Sequence, residues 1–401
     1  MSFPLIEISQ CCKVINGSTP SRVKPEYWNG EIDWVTPKDL SKLDSKYFNE
    51  APEKITELGY KSCSTTIVPV GSLLYTSRAP IGHLAITQRE ICTNQGFKTL
   101  VPNDNVDVEF LYYVLKKYTP NLQDLGNGAT FKELSKATIS SYKIPLPPLD
   151  QQKKIAAILD AADAYRQKTK AIITKYEELT QSLFLDMFGD LSLKNTKWDT
   201  LKIREVIIEY KSGASIKPAE FTQNGFPVLH KGAIKTNGGI LVDSKKKAFV
   251  SLDACVKYKK SIVDKKYLVV TLRDLVPTGP SLGLMSHLKH FEIDQYILAQ
   301  GAYGLLLNEK LVNPAYMVHW SNSPIYRGEL SKYWVGSTQI HLRSSMFFDL
   351  DMPVPNIKLQ NQFAERVQAI ETQKTQAQGS LVQAENLFNS LLQRAFKGEL
   401  V

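Results

Sequence analysis

The sequence predicts an α+β protein in which two mixed α/β domains alternate with two long helices. Two observations carry this prediction. One stretch, Pro145–Asp190, opens with a proline lead-in and then runs for about 38 residues without Gly or Pro, and its apolar residues recur at helical spacing. The second is that the arrangement occurs twice. A proline lead-in, a long helix and a preceding globular segment return at a constant offset of 208 residues. Fixed-period self-similarity marks a duplication.

The first helix shows Ile155, Ile158, Leu159, Ala162, Tyr165, Ile172, Ile173, Tyr176, Leu179, Leu183 and Met187 along one apolar stripe. At ~1.5 Å per residue it would be roughly 57 Å long, more than one ordinary domain needs. In the C-terminal copy Phe363, Val367, Ile370, Ala377, Leu381, Ala384, Phe388, Leu391 and Ala395 keep a 4-3-4-3 spacing, broken by Lys374. Pro145 and Pro147 align with Pro353 and Pro355, Gln152 with Gln360, Ile155 with Phe363, Glu177 with Glu385 and Phe188 with Phe396. The domain plan is residues 1–143, 144–190, 191–351 and 352–401: globular, helical, globular, helical.

The first globular segment opens with strand-like Ile6–Ile15 and the turn Asn16-Gly17-Ser18-Thr19-Pro20. Short β-rich runs follow at Ile32–Leu40 and Ile67–Ile86, punctuated by Gly71, Pro80 and Gly82. A helix is expected over about 107–118, capped by Asp107. A Gly/Asn loop covers Leu125–Leu134 and a last strand about 139–144. The second segment repeats the order. Strand-like Val206–Ile208 comes first, then Phe226–Ile234, then Tyr267–Leu288, then a helix led by Asn313, then the loop Trp334–Leu342.

Composition is that of an ordinary water-soluble protein with net charge +9 over 401 residues. No apolar run reaches membrane-spanning length, and Met1–Ser9 lacks the layout of a signal peptide, so the expectation is a cytoplasmic protein with no membrane partner. Five cysteines without a CxxC read as free thiols, neither a disulfide framework nor a zinc site. The positive charge is uneven. Residues 191–351 hold 22 Lys and Arg against 14 Asp and Glu, whereas residues 1–143 hold 16 against 15. A basic domain points to a polyanion, nucleic acid first, with a solvated surface as the bland alternative.

No catalytic centre emerges. Asn313-Pro314-Ala315-Tyr316 resembles the Asn-Pro-x-Tyr of amino-methyltransferases, but an N-cap followed by Pro at the first helical position accounts for it. His287 and His290 could share a face, yet lack a cysteine or carboxylate in register, so no metal is expected. There is no phosphate-binding loop and no Gly-x-Ser-x-Gly.

The binding features are distributed instead. Each half places an Arg in a Gly/Pro loop after a strand: Ser77-Arg78-Ala79-Pro80-Ile81-Gly82, and Arg273 followed by Thr278-Gly279-Pro280-Ser281. Each has a second polar loop: Asn127-Gly128-Ala129-Thr130-Phe131-Lys132, and Gly336-Ser337-Thr338-Gln339. Arg can read guanine, Asn and Gln can read adenine, and Thr or backbone N–H groups can hold phosphate. The expected DNA contacts are Lys38, Ser77, Arg78, Asn127, Thr130 and Lys132 in the first half. In the second they are Lys231, Lys245, Lys246, Arg273, Ser281, Ser337, Thr338 and Gln339. Any one such loop is more often an ordinary turn; recurrence at matching places makes them candidates.

This ordered set resembles the specificity subunits of Type I restriction–modification enzymes. The proline lead-in PLPPLDQQKKIAAIL, the long helix with YEELTQSLF and the exit FGDL are similar to that family's conserved regions. GSTPS, WVTPKDL and SRAPIG resemble its target-recognition domains. The second half departs from the pattern, with lead-in PVPNIKLQNQF and loop TLRDLVPTGPSLG. The resemblance implies a non-catalytic subunit that binds a split double-stranded DNA site, one half per recognition domain. It implies docking of two methyltransferase subunits and, through them, restriction subunits. S-adenosylmethionine, ATP and Mg would belong to those partners. It further implies that the two helices pair as an antiparallel coiled-coil spacer within a pseudo-two-fold repeat, setting the distance between half-sites.

Apolar residues beyond a narrow helix seam, Ile158, Tyr165, Leu179, Phe184 and Phe188, with Phe388 and Phe396 of the second helix, are expected at the subunit interface. Packing on the adjacent recognition domain is the equal alternative. The rival functions are a stand-alone DNA-binding or architectural protein, an enzyme of unusual layout, and a protein-only scaffold. Co-purification with a methyltransferase, methylation by the isolated chain and salt-dependent DNA binding discriminate among them.

Overall fold

The computed structural model describes residues 3–78, 80–127, 132–192, 196–230, 232–235, 238–240, 248–274, 278–288, 294–337 and 339–400. The chain forms two compact units, Met1–Ala171 with Gln378–Val401, and Ile172–Ala377. Four helices carry the argument: α1 (Val108–Asp124), α2 (Leu149–Phe188), α3 (Pro314–Asn322) and α4 (Ile357–Lys397). The long helices α2 and α4 each contribute one half to each unit.

In the first unit a five-stranded sheet runs in the spatial order Cys12–Asn16, Lys98–Pro102, Leu73–Ser77, Ile81–Thr87, Tyr47–Phe48. A second sheet orders Glu53–Ile55, Trp28–Val35 and Cys92–Thr93, the last pairing parallel with Trp34–Val35. A third, two-stranded pair joins Leu5–Glu7 to Lys143–Pro145. The second unit repeats this plan. Ile207–Ser212, Ala302–Leu307, Leu268–Thr271 and Met285–His287 form the first sheet in that order. Phe226–Leu229 lies parallel to Gln295–Leu298 in the second, and Asp199–Lys202 pairs with Asp351–Val354 in the third. Strand order and the parallel pairing thus recur, which is the duplication expressed as topology.

Two expected elements differ. The first strand is broken by a helical turn at Ile8–Cys11, because Ile8 and Cys11 both turn into the core. Residues expected as a strand over about 139–144 begin as a helix, Lys136–Ser141, and become strand only at Lys143. The Ser135 hydroxyl accepts from the Thr138 N–H and caps that helix. Helix α1 begins beside its expected cap, with Asp107 accepting from the Phe110 N–H at 2.9 Å, and runs on past Pro120 to Asp124.

Within the first unit Ile155, Leu159 and Ala162 of α2 and Phe388, Leu392, Ala395 and Phe396 of α4 join one core with Phe110, Tyr113 and Val114 of α1. In the second, Phe184 and Phe188 of α2 meet Phe363 and Val367 of α4 and Tyr316 of α3. Early α2 meets late α4, and late α2 meets early α4, so the helices pair antiparallel. Lys170 reaches Glu385 at 3.7 Å in the first unit, and Lys374 reaches Glu177 at 3.1 Å in the second. Lys374, the break in the apolar spacing, therefore lies on the seam with its charge matched across it.

Two buried glutamines do the same task in both units. The Gln152 side chain accepts from the Asp107 N–H (2.9 Å) and donates to the carbonyls of Asn105 (2.9 Å) and Pro147 (2.8 Å). Gln360 accepts from the Asn313 N–H (2.8 Å) and donates to Leu311 (3.2 Å) and Pro355 (2.6 Å). Each ties a proline lead-in to the start of the preceding helix. Gln152→Leu or Gln360→Leu strands one buried donor and two acceptors and is expected to cost at least about 2 kcal/mol. Thermal unfolding would show it; a loss under about 0.5 kcal/mol at either site would contradict the clamp.

Candidate nucleic-acid interface

In each unit the two loops that the sequence separates by about 50 residues or more become neighbours. In the first, the Leu134 N–H donates to the Ser77 carbonyl (2.9 Å), and Asn127 and Glu133 exchange both backbone hydrogen bonds (3.0 and 2.8 Å). Arg78 pairs antiparallel with Glu133. In the second, the Leu342 N–H donates to the Leu272 carbonyl (3.0 Å), and Val335 and His341 exchange both backbone bonds (3.0 and 2.9 Å). Arg273 pairs antiparallel with His341. Asn127, Glu133 and Leu134 map onto Val335, His341 and Leu342 at the same 208-residue offset as the helices.

Local chemistry shapes these loops. Buried Thr76 donates to the Pro80 carbonyl (2.8 Å) and accepts from the Gly82 and His83 N–H groups (3.1 and 2.8 Å), closing the turn that carries Arg78. Gly82 sits at φ 109°, where a Cβ would come 2.3 Å from Thr119 Cγ2, so the position requires glycine. Gly336 is likewise at φ 109°, with an added Cβ 2.1 Å from the Gln339 carbonyl oxygen. Half-buried Arg327 donates to the carbonyls of Leu282 and Gly279, the latter at 2.6 Å, and holds the second Arg loop from beneath.

The expected contact residues divide by accessibility. Lys38, Asn127, Lys132, Arg273, Ser337 and Gln339 are exposed and Arg78 is half-exposed. Arg78 lies 3.9 Å from the Glu133 carboxylate, and Lys132 reaches the Gln123 carbonyl at 3.4 Å. Ser77 and Ser281 differ from these: both side chains are buried. The Ser77 hydroxyl receives the Lys98 ammonium at 3.3 Å. The Ser281 N–H (2.8 Å) and hydroxyl (2.6 Å) both donate to Asp274. They build the loops from within. Thr130, Lys231, Lys245, Lys246 and Thr338 lie outside the described residues, as does His290.

Four residues beneath or beside these loops escaped the sequence reading: Lys98, Glu133, Asp274 and His341. Lys98 is nearly buried, 3.6 Å from Glu133, and burial pulls its pKa below the ordinary lysine value while Glu133 opposes that pull. Only the 208-residue offset, applied to single loop positions, could have paired Glu133 with His341 in advance.

The set expected at the subunit interface also divides. Phe184, Phe188, Phe388 and Phe396 are buried within their units, each packed on the helix and sheet of the adjacent domain. Phe184 lies 5.8 Å from Tyr316 and Phe396 5.6 Å from Phe110, ring centre to ring centre. Ile158 is half-buried, whereas Tyr165 and Leu179 are 53% and 50% exposed. With Ile172 these fall at every seventh residue of α2.

The tetrapeptide at Asn313 is structural. Its side chain accepts from the Ala315 N–H at 2.8 Å, and the buried Tyr316 hydroxyl donates to the Pro353 carbonyl at 2.7 Å. Among the described residues no three His, Cys, Asp or Glu side chains gather as metal ligands, and no helix is long and apolar enough to cross a membrane.

A duplicated recognition fold, each copy presenting paired polar loops and joined through antiparallel helices, defines the class of two-domain DNA specificity proteins. The sequence family described as the Type I restriction modification DNA specificity domain matches residues 3–180 and 195–384. The chain belongs to this family. It is 33% identical over 282 residues to the Type I restriction enzyme MjaIX specificity subunit of Methanocaldococcus jannaschii, covering 66% of this chain and 64% of that relative. It is 24% identical over 384 residues to the MjaVIII specificity subunit of the same organism, covering 92% and 86%. The fold is similar to the Type I restriction-modification S subunit from M. genitalium, with TM-score 0.55, 15% identity, and 99% and 96% of the two chains covered. A chain from a study of assembly and conformational transition of the type I R-M system is similar with TM-score 0.60, 16% identity, and 100% and 98% coverage.

Proposed function

We propose that this chain is the non-catalytic specificity subunit of a Type I restriction–modification complex and that it reads a bipartite double-stranded DNA site, one half per domain. The observation that carries the reading is the convergence, in both units, of an Arg loop with a second polar loop. Base reading needs several donors and acceptors held at fixed spacing on a rigid support, and sheet hairpins supply it. The exposed lysines, among them Lys38 and Lys132, serve the phosphate backbone, which gives affinity without sequence information.

The same reading makes the chain a docking platform for two methyltransferase subunits, and through them for restriction subunits. S-adenosylmethionine, ATP and Mg belong to those partners. On α2, Tyr165, Ile172 and Leu179 are exposed and recur at seven-residue spacing. That is the pattern of a seam awaiting another helix. The four buried phenylalanines contribute to this surface only by holding α2 and α4 in place.

Methylome sequencing of a host with and without this gene tests the reading. A split adenine-methylated motif is expected to appear and vanish with the gene. A continuous motif, or none, would overturn it.

A further inference from the structure

The two units put different residue types at one equivalent place. Glu133 and His341 occupy the same position in the paired loops. Each makes the same double backbone exchange, with Asn127 and Val335 respectively, and each stands directly opposite an arginine. Residues directly opposite in an antiparallel pair project to one side of the ladder. Both are exposed, Glu133 with 45% of its side chain free.

A carboxylate is an odd choice on a surface that meets a polyanion, since it repels phosphate. The structure nevertheless holds it firmly. Lys98, with 7% of its side chain exposed, stands behind Glu133 at 3.6 Å, and Arg78 stands beside it at 3.9 Å. The buried ammonium needs a counter-charge, because burying an unpaired charge is costly. Glu133 is therefore anchored from inside, whereas Arg78 on the open side can exchange its partner. An outward carboxylate next to an arginine matches the major-groove edge of a G·C pair. Arginine donates to guanine O6 and N7, and the carboxylate accepts from cytosine N4. The charge that weakens non-specific binding then rewards the correct base, which is how a repulsive element creates specificity. In the second unit an imidazole replaces the carboxylate opposite Arg273 and offers a different donor and acceptor set.

Resting on the bipartite reading above, we propose that Arg78 with Glu133, and Arg273 with His341, are equivalent base-reading pairs. The Glu-to-His difference makes the two domains select different base pairs at corresponding steps of their half-sites.

The test uses the full chain assembled with its methyltransferase subunits. Two readouts are taken: the motif methylated in the host genome, and competition binding by duplexes carrying every single base-pair change in each half-site. Glu133→Gln keeps size and removes charge. It is expected to lose about tenfold in discrimination at one base pair of the first half-site, with the other penalties held. His341→Gln is expected to do the same in the second half-site alone. Discrimination unchanged within about twofold at every position in both variants overturns the proposal. If Glu133→Gln does not accumulate, His341→Gln decides: an unaltered second half-site counts against, and a one-position change counts for. A wild-type complex without any split motif would instead remove the bipartite reading itself, so the two failures are distinguishable.

Discussion

Phe188→Ala is expected to destabilise the second unit by about 3–5 kcal/mol, the usual cost of emptying a buried aromatic site. Phe188 is 1% exposed. Its ring centre lies 5.0 Å from Phe184, 5.0 Å from Tyr316 and 5.2 Å from Phe363, and its carbonyl accepts from the Trp198 indole at 2.9 Å. Three elements therefore lose a shared contact at once: late α2, early α4 and α3. None can collapse into the void without dragging a long helix with it. Urea unfolding followed by tryptophan fluorescence would measure the loss. As a control, Tyr165→Ala on the exposed stripe should stay within about 0.5 kcal/mol in the isolated chain. Its effect is expected in retention of the methyltransferase subunits on size exclusion. A similar loss of stability at both sites would contradict the division into core and docking residues.

Matched four-residue insertions, after Thr174 in α2 and after Gly379 in α4, are expected to lengthen the tolerated gap between half-sites by roughly one to two base pairs. One added turn is about 5.4 Å, against roughly 3.4 Å per base pair. The ion pairs Lys170–Glu385 and Glu177–Lys374 flank these points and would each be kept. An insertion in α2 alone would shift its late half against α4, pull Glu177 from Lys374 and cost stability. The readout is the methylated motif: both half-sites unchanged, spacer longer. An unchanged spacer with methylation intact would rule out the helices as the ruler. A flexible linker would permit many spacings, whereas a packed seam permits one.

The helices and the repeat were legible because their information is local. Helical spacing, a proline lead-in and a fixed offset are written in consecutive residues, and Asp107 capping α1 needs no distant partner. Even Lys374 was visible as an interruption, although its match with Glu177 was not. The expected strand over about 139–144 failed for a local reason too. Ser135 as an N-cap tipped the first residues into a helix, and strand character began only where Lys143–Pro145 found Leu5–Glu7.

By itself, the sequence determined the α+β class, the duplicated plan, the two long helices and the paired Arg and polar loops. Tertiary structure alone decided which residues of those loops face outward. Ser77 and Ser281 look like Arg78 and Ser337 on paper, yet one pair is spent on Lys98 and Asp274 inside the fold. Phe184 and Phe188 look like surplus on a helix, yet they fill the core beneath α3. Glu133 gained its place from Lys98, 35 residues earlier in the chain. Accessibility and charge pairing are set by neighbours remote in sequence, and no pattern along the chain records which neighbours those will be.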